Sequence, residues 1–392
     1  MPEDLQAGAA LFEFGVRRGM QRASQNRILL ERLLEPSGIR IDGDRPFDMR
    51  VRNEAVYTEA FPRGLLGMAE AYVDGWWDTG RLDELSFRIS SHPYRLPGAD
   101  KLRVIAAAIG NRLLNRQTRE RSRGIGRHYN LGNDLFAAML DRRMIYSCAY
   151  WKDAGTLDQA QEAKLDLICR KIGARPGMRV LDIGCGWGGF AKFAAEHYGA
   201  AVTGITICEE QLALARELCA GLPITLLLQD YRDLTGSYDA VVSVGMFEHV
   251  GVKNYRRYMN VVRRVLKPEG IFLLHTIGGN RSVRAGNAWM NRYIFPNGML
   301  PSAKQIAKAC ENLFTIEDWH NFGPDYDRTA LAWFEKFDAN WPQLQPKYGD
   351  KFYRMWKCYL QFNAGTFRAR VNHLWQIVLS PAGSTRAYDS VR

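Results

Sequence analysis

The chain contains no run of about 18 consecutive apolar residues, so nothing in it predicts a helix that crosses a membrane. Its acidic, proline-containing start lacks the pattern of a signal peptide, and together these features predict a cytoplasmic protein. There is no CxxC pair, no HxxxH and no HxH, and the cysteines number seven. An odd, scattered set of this kind argues against a disulfide framework and predicts no metal site. Internal repeats and low-complexity tracts are missing as well. Acid is scarce in two places: residues 101–127 hold eight Lys/Arg against one Glu, and residues 251–267 hold six with no acid. With a net charge of +11, such patches suit an anionic partner, either acidic lipid headgroups or a phosphate backbone. No nucleic-acid-binding signature accompanies them, and the aromatics lie in apolar helices rather than among the basic residues, so nucleic acid is the poorer fit.

What the chain does have is organised around Arg179 to Phe190, RVLDIGCGWGGF. Val180, Leu181 and Ile183 form a short β-branched apolar run between glycines, as a buried parallel strand requires, and Phe190, Phe193 and Ala194 begin a helical stripe. A strand therefore ends in a glycine turn and a helix starts. Gly184, Gly186, Gly188 and Gly189 let a ligand approach bare backbone, and the helix start adds unpaired N–H groups and a positive dipole end. A dinucleotide site would want an acidic residue at the end of the next strand. That strand, Ala201 to Ile205, ends instead in Thr206, whose hydroxyl and the Gln211 amide can still bind a ribose. S-adenosylmethionine is thus favoured over NAD.

With 392 residues there is room for one large or two ordinary domains. Residues 1–115 predict a small mixed domain: a helix over Ser24 to Leu34, strands in IRIDG and FDMRVRN, and a helix from Gly64 to Trp77 that ends in twin tryptophans. Residues 101–116 read as a basic amphipathic helix, able to lie on an anionic surface, and 116–127 as an arginine-rich linker. From 128 to 392, alternating strands and helices predict an α/β, doubly wound parallel sheet, with an aromatic-rich insertion over about 279–345. The last apolar run, His373 to Leu379, is expected to return as an edge strand. Ligands of such sheets bind beyond the carboxyl ends of the strands, which directs attention to the turns after each one. Glu248 and His275 fall there, where a carboxylate and an imidazole can converge over a cofactor.

Eight blocks together carry a specific likeness: YNLGNDLF (129–136), YSCAYW (146–151), VLDIGCGWGG (180–189), LLQDYRDL (227–234), VSVGMFEHVG (242–251), GIFLLHTIG (270–278), YIFPNGMLPS (293–302) and EDWHNFGPDYD (317–327). In order and spacing they resemble the cyclopropane synthases, and the long N-terminal region with DGWW (74–77) makes the phospholipid-acting members a closer likeness than the mycolic acid ones. The resemblance implies a Rossmann-like S-adenosylmethionine-dependent methyltransferase domain behind a smaller N-terminal lipid-binding or dimerisation domain. It implies transfer of a methylene group to the cis double bond of unsaturated acyl chains in phospholipids of an anionic membrane, by a homodimer attached to the membrane's inner face. It places the cofactor on Tyr146, Ser147, Gly184, Cys185, Gly186, Thr206, Gln211, Asp230, Tyr231 and Val244. A bicarbonate ion is implied against Cys148, Glu248, His275, Ile277 and Tyr326. An alkene is a weak nucleophile, so the chemistry wants close alignment, a dry tunnel, π-faces for a carbocation and a small base. Glu248 acting directly as that base remains open beside bicarbonate, as does a branched rather than cyclised product.

Overall fold

The computed structural model describes residues 23–92 and 131–392. The expected basic helix at 101–116 and the linker at 116–127 lie outside the described residues, as do residues 129 and 130 of the YNLGNDLF block. The chain divides into two compact units, one formed by 23–92 with Gln345–Ala369, the other by 131–344 with Arg370–Arg392.

In the first unit, helix α1 (23–34) buries Leu30 and Leu34, and helices α2 (Gly64–Val73) and α3 (Leu82–Ser91) follow. The two expected strands shrink to a pairing of β1 (Arg50–Val51) with β2 (Trp77–Asp78). The reason is local: the Asp48 carboxylate accepts from the backbone N–H groups of Arg40 and Arg45, replacing ladder bonds with a side-chain-centred turn. Helix α2 stops at Val73, because Gly75 takes φ 76° and turns the twin tryptophans out of it. Trp77 is buried and donates to the Met68 carbonyl, so it closes a core. Residues 345–369 group here rather than with the sheet, unlike the expected 128–392 domain. Arg354 stacks over the Tyr72 ring at 4.3 Å, Arg368 pairs with Asp83 at 3.0 Å, and Ser86 donates to the Phe362 carbonyl.

The second unit is a seven-stranded sheet in the order β5-β4-β3-β6-β7-β9-β8. Its strands are β3 (Arg179–Ile183), β4 (Ala201–Thr206), β5 (Ile224–Leu228), β6 (Tyr238–Val244), β7 (Leu266–Gly279), β8 (Phe314–Asn321) and β9 (Asn372–Pro381), and its helices include α4 (Asn133–Met139) and α7 (Glu209–Leu218). The first five run parallel, and β9 is antiparallel to both β7 and β8, so the sheet is mixed. The expectation of a β9 edge strand fails: it lies between two partners, buried at all but its first residue, and β8 is the edge. Strand β8 extends through Trp319–Asn321, and a helix begins at Pro324. Two helices share the stretch Pro324–Arg368, separated at Gly349, whose φ of 73° and ψ of 162° are not helical.

Strand periodicity builds the core. Leu181, Ile183, Val241, Phe272, Leu274 and Ile377 face helix α8 (Tyr255–Val265) on one side. Their neighbours Val180, Val202, Val242, Ile271, Leu273 and Val378 face α5 (Leu157–Ile172) and α6 (Gly189–Tyr198) on the other. Burying each such side chain contributes about 1.5–3 kcal/mol. Both faces being covered, the strands read as continuous apolar runs, and the polar groups gather at their carboxyl ends.

Candidate active site

The glycine turn is locked against the neighbouring strand: the N–H groups of Gly184 and Cys185 both donate to the Ile205 carbonyl, at 2.9 and 3.0 Å. Gly184, Gly186 and Gly188 take φ of 89°, 54° and 81°, a left-handed region that side chains resist. At Gly189 the reason is space, since a Cβ would stand 2.4 Å from the Arg143 carbonyl oxygen. The loop that carries Tyr146 and Ser147 can therefore press directly on the start of α6.

One cavity opens over this turn. All ten residues expected around the cofactor line it: Tyr146, Ser147, Gly184, Cys185, Gly186, Thr206, Gln211, Asp230, Tyr231 and Val244. Thr206 Oγ1 lies 3.2 Å from Gln211 Oε1, and the Asp230 carboxylate is held by the Arg232 guanidinium at 2.8 Å and the Arg232 N–H at 2.9 Å. Ile183, Ile205, Ile207 and Met246 supply apolar walls. Apolar slots beside hydrogen-bonding groups, above a helix start, are what an adenosine with a charged methionyl tail requires, and the residues present fit S-adenosylmethionine.

Three further residues belong to this site and were not expected. Lys164 is fully buried in the cavity wall and donates to Ser147 Oγ at 2.9 Å. Burial lowers its pKa to about 8, opposed by Asp141 and Asp182. Asp182, at the end of β3, is pushed up to about 7 by burial, with Lys164 opposing. Gln161 donates to the Ser147 carbonyl at 2.8 Å. A signal existed for the first: Lys164 is seven residues after Leu157 and four before Ile168, on the buried stripe of α5, where an apolar residue belongs.

The other five residues lie elsewhere. Glu248, His275, Cys148, Ile277 and Tyr326 do not line the cavity. Strand register explains their grouping: His275 pairs with cavity-lining Val244, and Ile277, two residues on, shares the His275 face. The Ile277 N–H donates to Glu248 Oε1 at 2.6 Å. Cys148, Ile277 and Tyr326 pack in one cluster with Phe322, whose ring meets His275 edge-on at 5.9 Å. Burial raises Glu248 to about 7, partly offset by the Ile277 N–H, and holds His275 well below its ordinary value, hence neutral. The Gln376 amide nitrogen is 3.3 Å from His275 Nδ1. Three atoms here, Glu248 Oε2, His275 Nε2 and Gln376 Oε1, are buried with no hydrogen-bond partner. Such groups each cost about 1–3 kcal/mol when left unpaired. Cys148 donates its thiol to the Ala149 carbonyl, and burial raises its pKa far from thiolate chemistry.

Aromatic rings connect the two places. Tyr146 lies 5.1 Å from Phe136, 5.2 Å from Trp333 and 6.3 Å from Phe295, and Trp333 meets Tyr326 at 5.8 Å. Among the described residues no group of three or more His, Cys, Asp or Glu could hold a metal ion.

A mixed seven-stranded sheet with a glycine turn after β3, the first of its strands along the chain, and a cavity suited to a sulfonium nucleoside, define a Rossmann-like S-adenosylmethionine-dependent methyltransferase. The family model of mycolic acid cyclopropane synthetase matches residues 116–377, and the chain belongs to that family. It is 52% identical over 353 residues to the cyclopropane-fatty-acyl-phospholipid synthase of Escherichia coli strain K12, covering 89% of this chain and 91% of that one. A probable fatty acid methyltransferase of Pseudomonas putida is 38% identical over 267 residues, 65% of this chain and 68% of that protein. Among solved structures, mycolic acid cyclopropane synthase CmaA1 complexed with SAH and CTAB superposes with a TM-score of 0.62 at 31% identity, over 66% of this chain and 97% of that one.

Proposed function

We propose that this protein converts the cis double bond of unsaturated fatty acyl chains in phospholipids into a cyclopropane ring. The observation that carries this reading is the pairing of a sulfonium-suited cavity with a separate buried pocket, at the ends of adjoining strands, in which Glu248 Oε2, His275 Nε2 and Gln376 Oε1 lack protein partners. S-adenosylmethionine, held by the ten cavity residues, supplies the electrophilic methyl carbon. The protein's part is to align the alkene with it, which can remove about 7–11 kcal/mol from a barrier. The faces of Tyr146, Phe295, Trp333 and Tyr326 suit the positive charge that develops on the acyl chain and exclude water from it. A proton must then leave the new methyl group for the ring to close.

Glu248 and His275 stand where that proton is taken. Neutral His275 can donate from Nε2 to a small planar anion, the Gln376 Oε1 can accept from that ion's hydroxyl, and a carboxyl near pKa 7 shares a proton with such an ion readily. The orphaned atoms fit bicarbonate, which would act there as the base, with Glu248, His275, Ile277, Tyr326 and Cys148 forming its enclosure. The net charge of +11 supports peripheral attachment to the inner face of an anionic membrane, and family likeness supports a homodimer. Among the described residues no helix is long and apolar enough to cross a membrane.

The test is proton NMR of lipid recovered after the purified protein acts on unsaturated phospholipid vesicles with S-adenosylmethionine. Upfield cyclopropane signals are expected. Olefinic or branched-methyl signals in their place would mean methyl transfer without ring closure, which the likeness to a fatty acid methyltransferase makes the natural second outcome.

A further inference from the structure

Between Glu269 and Glu311 the chain carries no carboxylate side chain, and five Lys or Arg occur within residues 280–310. This stretch contains the loop leaving β7 and helix α9 (Ala303–Cys310). The loop begins and ends beside the candidate active site, for the Gly279 N–H donates to the Pro301 carbonyl and the Met299 N–H to the Glu248 carbonyl, both at 2.9 Å. Its two halves differ. Residues 280–284 are all exposed, with Val283 at 41% an apolar tip between Arg281 and Arg284. The later half turns inward: Trp289, Ile294 and Met299 are buried, and the Phe295 ring lies 6.3 Å from Tyr146 and 5.6 Å from His249, both on the cofactor cavity.

The tip is held in place. Gln305 of the α9 capping box donates to the Val283 carbonyl at 2.9 Å, and Ser282 Oγ meets the cap hydroxyl of Ser302 at 2.7 Å. Helix α9 adds exposed Lys304 and Lys308, and among the described residues no carboxylate pairs with these lysines or with Arg281 and Arg284. An anchored apolar tip flanked by unneutralised cations is the geometry of a residue inserted at an anionic interface, with the arginines at headgroup level.

We propose that Arg281–Arg284, with Lys304 and Lys308, is the face by which the catalytic unit docks on an anionic phospholipid bilayer, and that the acyl chain enters along the inward half of the same loop. This rests on the proposed lipid reaction and specifies where it meets the membrane. It differs from docking through the basic stretch at 101–127.

The experiment compares the full-length protein with the Arg281→Glu/Arg284→Glu double variant and with Val283→Asp. Co-flotation is measured with phosphatidylglycerol vesicles, and initial rates are measured on unsaturated phosphatidylglycerol presented either as vesicles or in nonionic-detergent micelles. The double variant inverts two charges at the surface, and we expect partition into vesicles and rate on vesicles to fall by roughly tenfold or more. Rate on micelles and binding of S-adenosylmethionine should stay within about twofold, since neither residue lines the cavity. Val283→Asp should lower vesicle rate in the same sense, by a smaller factor. Unchanged flotation would overturn the proposal, and so would equal rate losses on vesicles and micelles. Loss of binding to a duplex oligonucleotide with flotation unchanged would assign the patch to nucleic acid and overturn it too. The flotation arm is read whether or not rings form, so failure of docking and failure of the proposed reaction are separate results.

Discussion

The cofactor cavity and the Glu248–His275 pocket sit at the ends of adjoining strands, yet they differ in how far their polar groups are paired. In the cavity most of the polar side chains described already have partners: Lys164 holds Ser147, Thr206 meets Gln211, and Arg232 holds Asp230, although the Tyr231 hydroxyl is buried without one. In the pocket, oxygen and nitrogen atoms of Glu248, His275 and Gln376 are buried without any. Partnered groups set a rigid shape for a ligand to fit, whereas unpartnered buried groups are tolerated when something else completes them. We propose binding for the first region and proton transfer for the second, a division that variants affecting the wrong kinetic constant would break.

The largest effect is expected in the pocket. Glu248→Gln keeps size and the bond from Ile277 but removes the titrating group, and kcat should fall by roughly 10²–10⁴-fold with S-adenosylmethionine affinity nearly unchanged. Isothermal titration beside steady-state rates checks this, and a loss confined to cofactor affinity would break the division. Because burial raises Glu248 to about 7, the carboxyl is neutral below that pH and charged above it, so kcat at saturating cofactor should rise with pH through about 7. A profile flat across that range would contradict the assignment.

Smaller effects belong to the cavity. Gly189→Val would drive a Cβ into the Arg143 carbonyl and the Ile145 side chain, and overpacking of this kind costs about 1–3 kcal/mol, readable by denaturant unfolding. Lys164→Met should raise KM for S-adenosylmethionine by roughly tenfold while kcat moves little, because the ammonium acts through Ser147 rather than on the acyl chain. The smallest change is expected at Cys148, whose thiol meets its own neighbour's carbonyl; Cys148→Ser should retain activity within about fivefold. Complete loss in a folded, cofactor-binding Cys148→Ser protein would restore a chemical role for the thiol.

Much of the cavity was legible in the sequence because its determinants are local. The glycines after β3 and the TICEEQ turn after β4 announce a ligand by strand-end position alone, and each lies where the alternating pattern puts it. Lys164 was missed because a lysine on an apolar stripe looks like a surface residue unless the stripe is followed through it. The antiparallel end of the sheet was misjudged for a different reason: β9 pairs with β7 and β8, and such long-range partners leave no mark in the strand itself beyond its apolarity. The short expected strands near Asp48 were lost to side-chain hydrogen bonds that periodicity does not register. The pocket was reachable only through family likeness, since nothing in the spacing of Glu248, His275 and Tyr326 brings them together before the strands are aligned.

The most direct test of the account is the bicarbonate dependence of ring formation. Enzyme and buffers stripped of carbon dioxide should lose most of their cyclopropane-forming rate and recover it on adding bicarbonate, with half-saturation altered in His275→Ala and Gln376→Ala. A stripped enzyme that forms rings at full rate, and does not respond to added bicarbonate, would contradict the claim that the unpartnered atoms of the pocket are completed by that ion.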